Sequence, residues 1–364
     1  MVLKNTYPIC FLDKSRLLIY KKHNFQIVDL KNFESKILLS ITANFFDKLV
    51  YKIPLLFRLL RKGVRCGIKV DDNIILLLIG KTIYELDLLN KSISIGYNTP
   101  DYSRPLIFSK INGIAGFDDG IYFGGYKGNS KKDPIAIFKR VKKDTWEKVF
   151  EFAKGEIEHI HNIVADPYKN IVYIFSGDFD NSACIWKAEN NFRSVKPLVR
   201  GHQDYRSCVG FPTINGLIYA TDSPFSKNSI RLLRKKDNVW ESKHLQNING
   251  PCIYGCIWND EYVFSTSVEG SGKNSSYWYK FFGNKRGPSI IENYSFIYKG
   301  NLEKSFEEIY KVKKDFYPFH LFQFGVLMFP QGRIEGNYLP TYHIATVHNS
   351  LHTVLIKLNV KNRT

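Results

Sequence analysis

Two imidazoles two residues apart, in Glu158-His159-Ile160-His161, are the groups of this sequence best suited to chemistry. On an extended strand, residues i and i+2 face the same way, so His159 and His161 would aim at one point. Such a pair could hold a divalent metal, with Gln203, Asp178 or Glu269 completing the set. Alternatively, one of them could serve as general base, because imidazole titrates near neutrality. A third reading makes them hydrogen-bonded ties between neighbouring elements. Gly201-His202-Gln203-Asp204-Tyr205-Arg206 opens a second stretch of similar layout. Arg206 and Arg104 suit two-point capture of a carboxylate or sulfate, or salt bridges to Asp178 or Asp222. Tyr205 offers a phenolic acid, a face for stacking on a sugar, or a core ring. Asp178 and Asp222 occupy matching places in successive units and could act as an acid–base pair or as turn caps. Glu269 is a further carboxylate one unit later.

The elements that must position these groups are short strands. Runs at 163–166, 171–175, 183–187 and 195–199 form one set of four, and 207–211, 217–220, 229–233 and 239–244 the next. A third set takes 252–258, 262–265 and 277–281, then 296–299 or 309–312. A fourth takes 319–324, 326–329, 342–347 and 353–358. Upstream lie 106–111, 121–123, 135–140 and 146–152, and two more sets over 8–41 and 66–97. Sets of four strands recurring about every 50 residues predict an all-β propeller of seven blades, with six or eight also compatible, as one domain over 1–364. The segment 43–63 interrupts the pattern. It reads as a basic amphipathic helix broken at Pro54, lying either on an anionic membrane or against the propeller's edge.

In a four-stranded blade, the loop leading into the innermost strand and the loop after the second strand open on the same side. Arg104, His159 with His161, Gln203 with Tyr205 and Arg206, and His320 lie at the first kind of position. Tyr126, Asp178, Asp222, Glu269 and Gln331 lie at the second. All of them are predicted to meet at one channel mouth.

Hydrophobic residues at 44% and aromatics at 15% exclude a disordered chain. The net charge of +18, from 52 Lys and Arg against 34 Asp and Glu, favours acidic partners. No helix-turn-helix, zinc-finger or RNA-recognition signature is present, so the expected partner is an acidic glycan and not nucleic acid. The six cysteines follow neither metal nor disulfide spacing, and most sit in or beside apolar strand-like runs, which suits a reducing compartment. With no secretory-type start and no membrane-length apolar run, the expected location is cytoplasmic, with peripheral contact to the inner membrane through 43–63. Gly124-Gly125-Tyr126-Lys127-Gly128 and Gly270-Ser271-Gly272-Lys273 lack phosphate-loop spacing and read as tight turns.

Lys143-Asp144-Thr145-Trp146-Glu147 and Lys236-Asp237-Asn238-Val239-Trp240 resemble degenerate Asp-boxes, without the usual Ser and Gly. With Arg104-Pro105-Leu106, His159-Ile160-His161, Gly177-Asp178, Gln203, Tyr205-Arg206 and Thr221-Asp222-Ser223, the chain resembles sialidase-like, BNR-type propeller proteins of bacterial surface-polysaccharide gene clusters. The resemblance covers roughly residues 100–270 and implies a propeller and a connection with glycans. A sialidase arginine triad would need Arg333 beside Arg104 and Arg206. By analogy with propeller lyases, Arg104 and Arg206 would hold a uronate carboxylate. His159 or His161 would then take the proton and Tyr205 would protonate the leaving oxygen. A hydrolase would instead use Asp178, Asp222 or Glu269, and Tyr126, Gln203, His320 and Gln331 would line the substrate. The alternative is a non-catalytic propeller that binds glycan or protein during capsule or O-antigen assembly.

Overall fold

Where a strand of this chain ends, the residues that follow often accept a left-handed backbone, and the chain reverses. Asp237 and Asn238 have φ of 48° and 66°, closing a two-residue hairpin between Asn228–Lys236 and Val239–Ile248. Lys22-His23 and Asn259-Asp260 repeat the device in other blades. A computed structural model describes residues 1–100, 103–271 and 277–357. These residues form seven antiparallel blades of a β-propeller.

The chain divides into two compact units. One, 65–89 with 93–253, holds nearly all of the second blade (64–98) and the third to fifth, spanning 109–152, 159–200 and 207–248. The fourth blade runs His159–Asp166, Ile171–Gly177, Cys184–Glu189 and Ser194–Arg200. The fifth runs Ser207–Thr213, Gly216–Thr221, Asn228–Lys236 and Val239–Ile248, each in simple meander order. Facing blades bury what one blade alone would leave wet. Ile111, Tyr122, Ile160, Ile174 and Trp186 fill the space between the third and fourth blades. Tyr173, Phe175, Ile185, Tyr219 and Leu233 fill that between the fourth and fifth. Each such side chain contributes about 1.5–3 kcal/mol by leaving water.

The other unit, 1–64, 90–92 and 254–364, holds the first, sixth and seventh blades among its described residues. Trp258, Val263, Ile297, Leu327 and Leu339 pack the sixth against the seventh. The seventh blade takes its outermost strand, Val2–Leu3, from the start of the sequence. That strand pairs with Thr353–Lys357, and Val326–Met328 is innermost. The inserted segment forms helices α1 (Phe45–Lys52) and α2 (Pro54–Leu59). Asn44 caps α1 by accepting from the Asp47 N–H, and Pro54 sits where a missing N–H is harmless.

Two runs expected to be strands are helical: α3 (Tyr277–Phe282) and α4 (Phe319–Phe322). The third strand of the sixth blade is therefore Tyr294–Gly300, with Glu307–Lys313 as its fourth. Gly272 and Lys273 lie outside the described residues. All six cysteines are buried free thiols. Among the described residues, no helix is long and apolar enough to cross a membrane.

Candidate functional site

The innermost strand of the fourth blade starts at His159, so both histidines sit within it and not in the loop before it. Its pairing with the second strand slips between Ile160 and Asn162, leaving His161 as the extra residue of a bulge. Bulges re-aim side chains, and this one turns the His161 ring to within 4.9 Å of the His159 ring. The fifth blade bulges at the equivalent place, where Cys208 is the extra residue. Gly177 is what lets the His161 ring lie flat on the second strand. A Cβ there would fall 2.3 Å from His161 Cε1.

The proton positions of the two rings follow from their partners. His159 Nδ1 meets the Lys127 carbonyl at 3.1 Å, and His161 Nδ1 meets the Ser207 carbonyl at 2.9 Å. Carbonyls only accept, so both Nδ1 atoms carry hydrogen and both neutral rings present a bare lone pair at Nε2. Those two Nε2 atoms face each other at 3.0 Å, and Asp178 Oδ1 stands 3.1 Å and 3.2 Å from them. Three electron-pair donors thus converge on one spot. Only a proton or a cation between them makes the arrangement stable. Burial holds the His161 imidazole below its ordinary value, against the pull of Asp178. Burial alone would raise the Asp178 carboxyl, but the imidazoles of His159 and His161, which donate to it whenever a proton sits between them, and the charge of Arg206 outweigh burial and hold it well below the carboxylate range. Two imidazole nitrogens and one carboxylate oxygen are a donor set that zinc, manganese and iron accept.

Arg206 closes the site from the fifth blade. Its Nη2 lies 3.0 Å from Asp178 Oδ1 and 3.4 Å from Asp222 Oδ2. The Cys208 thiol donates to Asp222 Oδ2 at 3.3 Å, and burial and then the Asp222 charge push that thiol well above its usual range. The Tyr126 ring lies 4.5 Å from that of His159, and its backbone N–H donates to the Arg104 carbonyl. Burial, reinforced by Cys208 and Asp178, raises the Tyr126 phenol, which stays protonated. His159, His161 and Arg206 are buried, while Asp178 is about a quarter open to solvent at its side chain.

Several expected contributions are placed differently. Gln203 donates to the Asp178 backbone carbonyl at 3.0 Å and accepts from Ser223 Oγ at 3.2 Å, so it braces the loop and does not face the imidazoles. Tyr205 packs on the core between the fourth and fifth blades, its ring 6.0 Å from His202. Arg104 joins the site through its backbone pairing with Tyr126. Glu269, His320 and Gln331 belong to the other unit. There Glu269 accepts from Ser267 Oγ at 2.7 Å and the His320 ring meets Phe281 at 4.9 Å. Gln331 follows the innermost strand Val326–Met328 and not a second strand, so it stands at the opposite blade edge from the one expected, with its N–H bonded to the Ile9 carbonyl.

Two residues outside the sequence reading frame the site. Phe179, next to Asp178, stacks on Phe225, three residues after Asp222, with ring centroids 5.7 Å apart. The Arg206 guanidinium lies 5.2 Å from the Phe179 centroid. The signal was available: both rings sit in the two loops that also carry the aspartates.

No family model matches the sequence, and no curated protein matches it either. Solved structures do. An oligogalacturonate lyase from Vibrio parahaemolyticus superposes with a TM-score of 0.50 at 12% identity, over 91% of this chain and 87% of that one. A chain of a mitotic checkpoint complex gives 0.52 at 9% identity, over 98% and 94%. An oligogalacturonate lyase in complex with manganese gives 0.49 at 12% identity, over 97% and 88%. What this chain shares with them is the fold. An enzyme and a checkpoint assembly share it equally, so function must be argued from the site.

Proposed function

We propose that this chain is a carbohydrate-active propeller, a metal-dependent lyase acting on an acidic glycan of the bacterial surface-polysaccharide kind. The observation that supports it is the convergence of His159 Nε2, His161 Nε2 and Asp178 Oδ1, with both Nδ1 protons committed to carbonyls. His159, His161 and Asp178 would hold a divalent cation, which when bound supplies Lewis-acid polarisation of a substrate carboxylate. The remaining steps belong to the protein. Arg206 fixes the Asp178 carboxylate toward the rings and adds positive charge where a uronate would lie. The proton lost from the carbon beside the uronate carboxylate would pass to solvent water at the open side of Asp178. The Tyr126 phenol, which keeps its own proton until then, would give it to the leaving oxygen in place of Tyr205 as the carbon–oxygen bond breaks. Phe179 and Phe225 offer a stacked apolar face to a sugar ring.

A lyase is favoured over a hydrolase by the state of the carboxyls. Hydrolysis of a glycoside needs one protonated carboxylic acid. Asp178 is held ionised, and Asp222 is paired with Arg206 and Cys208. A second reading, a non-catalytic binding propeller, draws on the same contacts. His161, Gln203 and Arg206 each tie the fourth blade to the fifth.

The test incubates the purified chain and Mn²⁺ with oligogalacturonate and other uronate oligosaccharides and follows the ultraviolet absorbance of unsaturated uronate. Turnover that disappears with chelator and in His161→Ala supports the lyase. Glycan binding with no unsaturated ends supports the second reading.

A further inference from the structure

The strongest feature unrelated to the blades' chemistry is a helical cap, in the unit that holds the first, sixth and seventh blades, whose outward side is apolar. α1 turns Val50 inward and leaves Phe45, Phe46, Leu49 and then Ile53 facing water, Phe45 at 83% exposure. A helix lying on a soluble surface ordinarily does the reverse. Leu59 and Leu60 extend the exposed apolar stretch from α2. α2 packs on α4, and α4 on α3. α3 adds Trp278, 71% exposed and stacked on exposed Phe282 at 5.7 Å, while Phe316 beside α4 is 73% exposed. These neighbouring segments supply much of the exposed large hydrophobic surface of the described residues, which makes the patch a feature of the fold and not scatter.

The cap is anchored. Arg58 pairs with Asp315 and donates to the Phe322 carbonyl at the end of α4, and buried Lys314 donates to Asp315 Oδ1 at 2.7 Å. Asp47, the sole acid of 43–63, is bonded to Lys62. Against that one acid the segment carries Lys48, Lys52, Arg58, Arg61 and Lys62, and no acid occurs between 277 and 288, where Lys285 and Arg286 follow α3. Exposed Lys48 and Lys52 stand among the outward apolar side chains of α1.

We propose that α1, α2, α3 and the adjoining Phe316 form an interfacial docking surface for an anionic phospholipid bilayer. Aromatic and aliphatic side chains outward, a tryptophan among them, and the exposed cations Lys48 and Lys52 between them match the headgroup boundary of an anionic leaflet. Charge selects this occupant. A second copy of the chain would bring the same positive field against itself. The preformed cap requires no refolding at the surface.

The test is co-flotation of the full chain with vesicles of phosphatidylglycerol and phosphatidylcholine, beside vesicles of phosphatidylcholine alone. Binding to the anionic vesicles alone is expected, weakening with salt. Phe45→Glu with Trp278→Glu should weaken it at least tenfold, as should Lys48→Glu with Lys52→Glu. All four positions are exposed, and thermal unfolding checks that the variants fold. Absence of anionic-vesicle binding, or equal binding to both vesicles, would overturn the proposal. So would a dimer in sedimentation that the apolar variant dissolves, since a second copy would then cover the face.

Discussion

Gly177→Ala puts the site's geometry to its sharpest test. The new methyl carbon would lie 2.3 Å from His161 Cε1 and 2.6 Å from its Nε2. Ordinary contact begins near 3.4 Å, so the ring must retreat by roughly 1 Å, because the strand behind Gly177 is hydrogen-bonded on both sides. Gly177 is not in the left-handed region, so alanine there meets none of the strain that a positive φ would bring. A retreat of roughly 1 Å far exceeds the ±0.2 Å within which metal ligands sit. Cation affinity should therefore fall by at least about 10–100-fold, the loss that follows removal of a group that merely orients a ligand. Stability should fall by only about 1–3 kcal/mol, the usual effect of overpacking. Calorimetric titration with Mn²⁺ and Zn²⁺, beside urea unfolding, reads both quantities. A Gly177→Ala chain that binds either cation as tightly as the parent would refute the argument, as would a parent that binds neither.

Three further outcomes are expected. Burial holds His343 down to about 4, against the pull of the His348 carbonyl, whereas an unfolded histidine titrates near 6.5. Between those values the unfolded chain takes up a proton that the folded chain refuses. Stability present above pH 6.5 should thus fall by about 3 kcal/mol as pH approaches 4, with buried His161 adding in the same direction and nearby His352 discouraging charge on His343. His343→Leu should flatten the denaturation slope, and a parent with flat stability over this range would contradict the assignment. Arg58→Met should cost about 3 kcal/mol, the low end for breaking a buried pair because Lys314 still faces Asp315, and should open 45–59 to limited proteolysis. Alkylation of the six buried thiols by iodoacetamide should wait for denaturant; prompt labelling of Cys208 in the native chain would contradict its raised thiol.

The blades were legible because their turns are chemically marked. Asp237-Asn238 and Asn259-Asp260 sit where a left-handed backbone is needed, and alternating Val, Ile, Tyr and Phe fill the strands between. The aromatic runs at 277–282 and 319–322 carry the same strand-favouring residues, yet they coil into helices on one another, a tertiary effect that propensity does not encode. Reading 319–324 as a strand displaced the seventh blade's frame by one, which is why Gln331 was assigned to the wrong edge. Val2–Leu3 is too short to carry any signal of its own. In the site, i,i+2 spacing foretold that His159 and His161 would share a side, but the bulge that sets their closeness depends on Gly177 and Ser207, which the spacing does not reveal. Tyr205 and Tyr126 could not be ranked from composition, since burial in the core claims one and the imidazoles the other.

Borrowing Val2–Leu3 for the last blade also dictates how the polypeptide can be made. Leu3 waits for Thr353, and the Thr353 hydroxyl bonds the Thr6 carbonyl across 347 residues. A ribosome adding roughly 5–20 residues per second needs on the order of 20–70 s to cover that distance. Throughout that interval the leading strand has no mate, and a nascent chain must be kept from pairing with its neighbours. Premature termination between Ile344 and Thr353 would leave the Tyr338–Ile344 edge without its Thr353–Lys357 partner, open to the same mispairing.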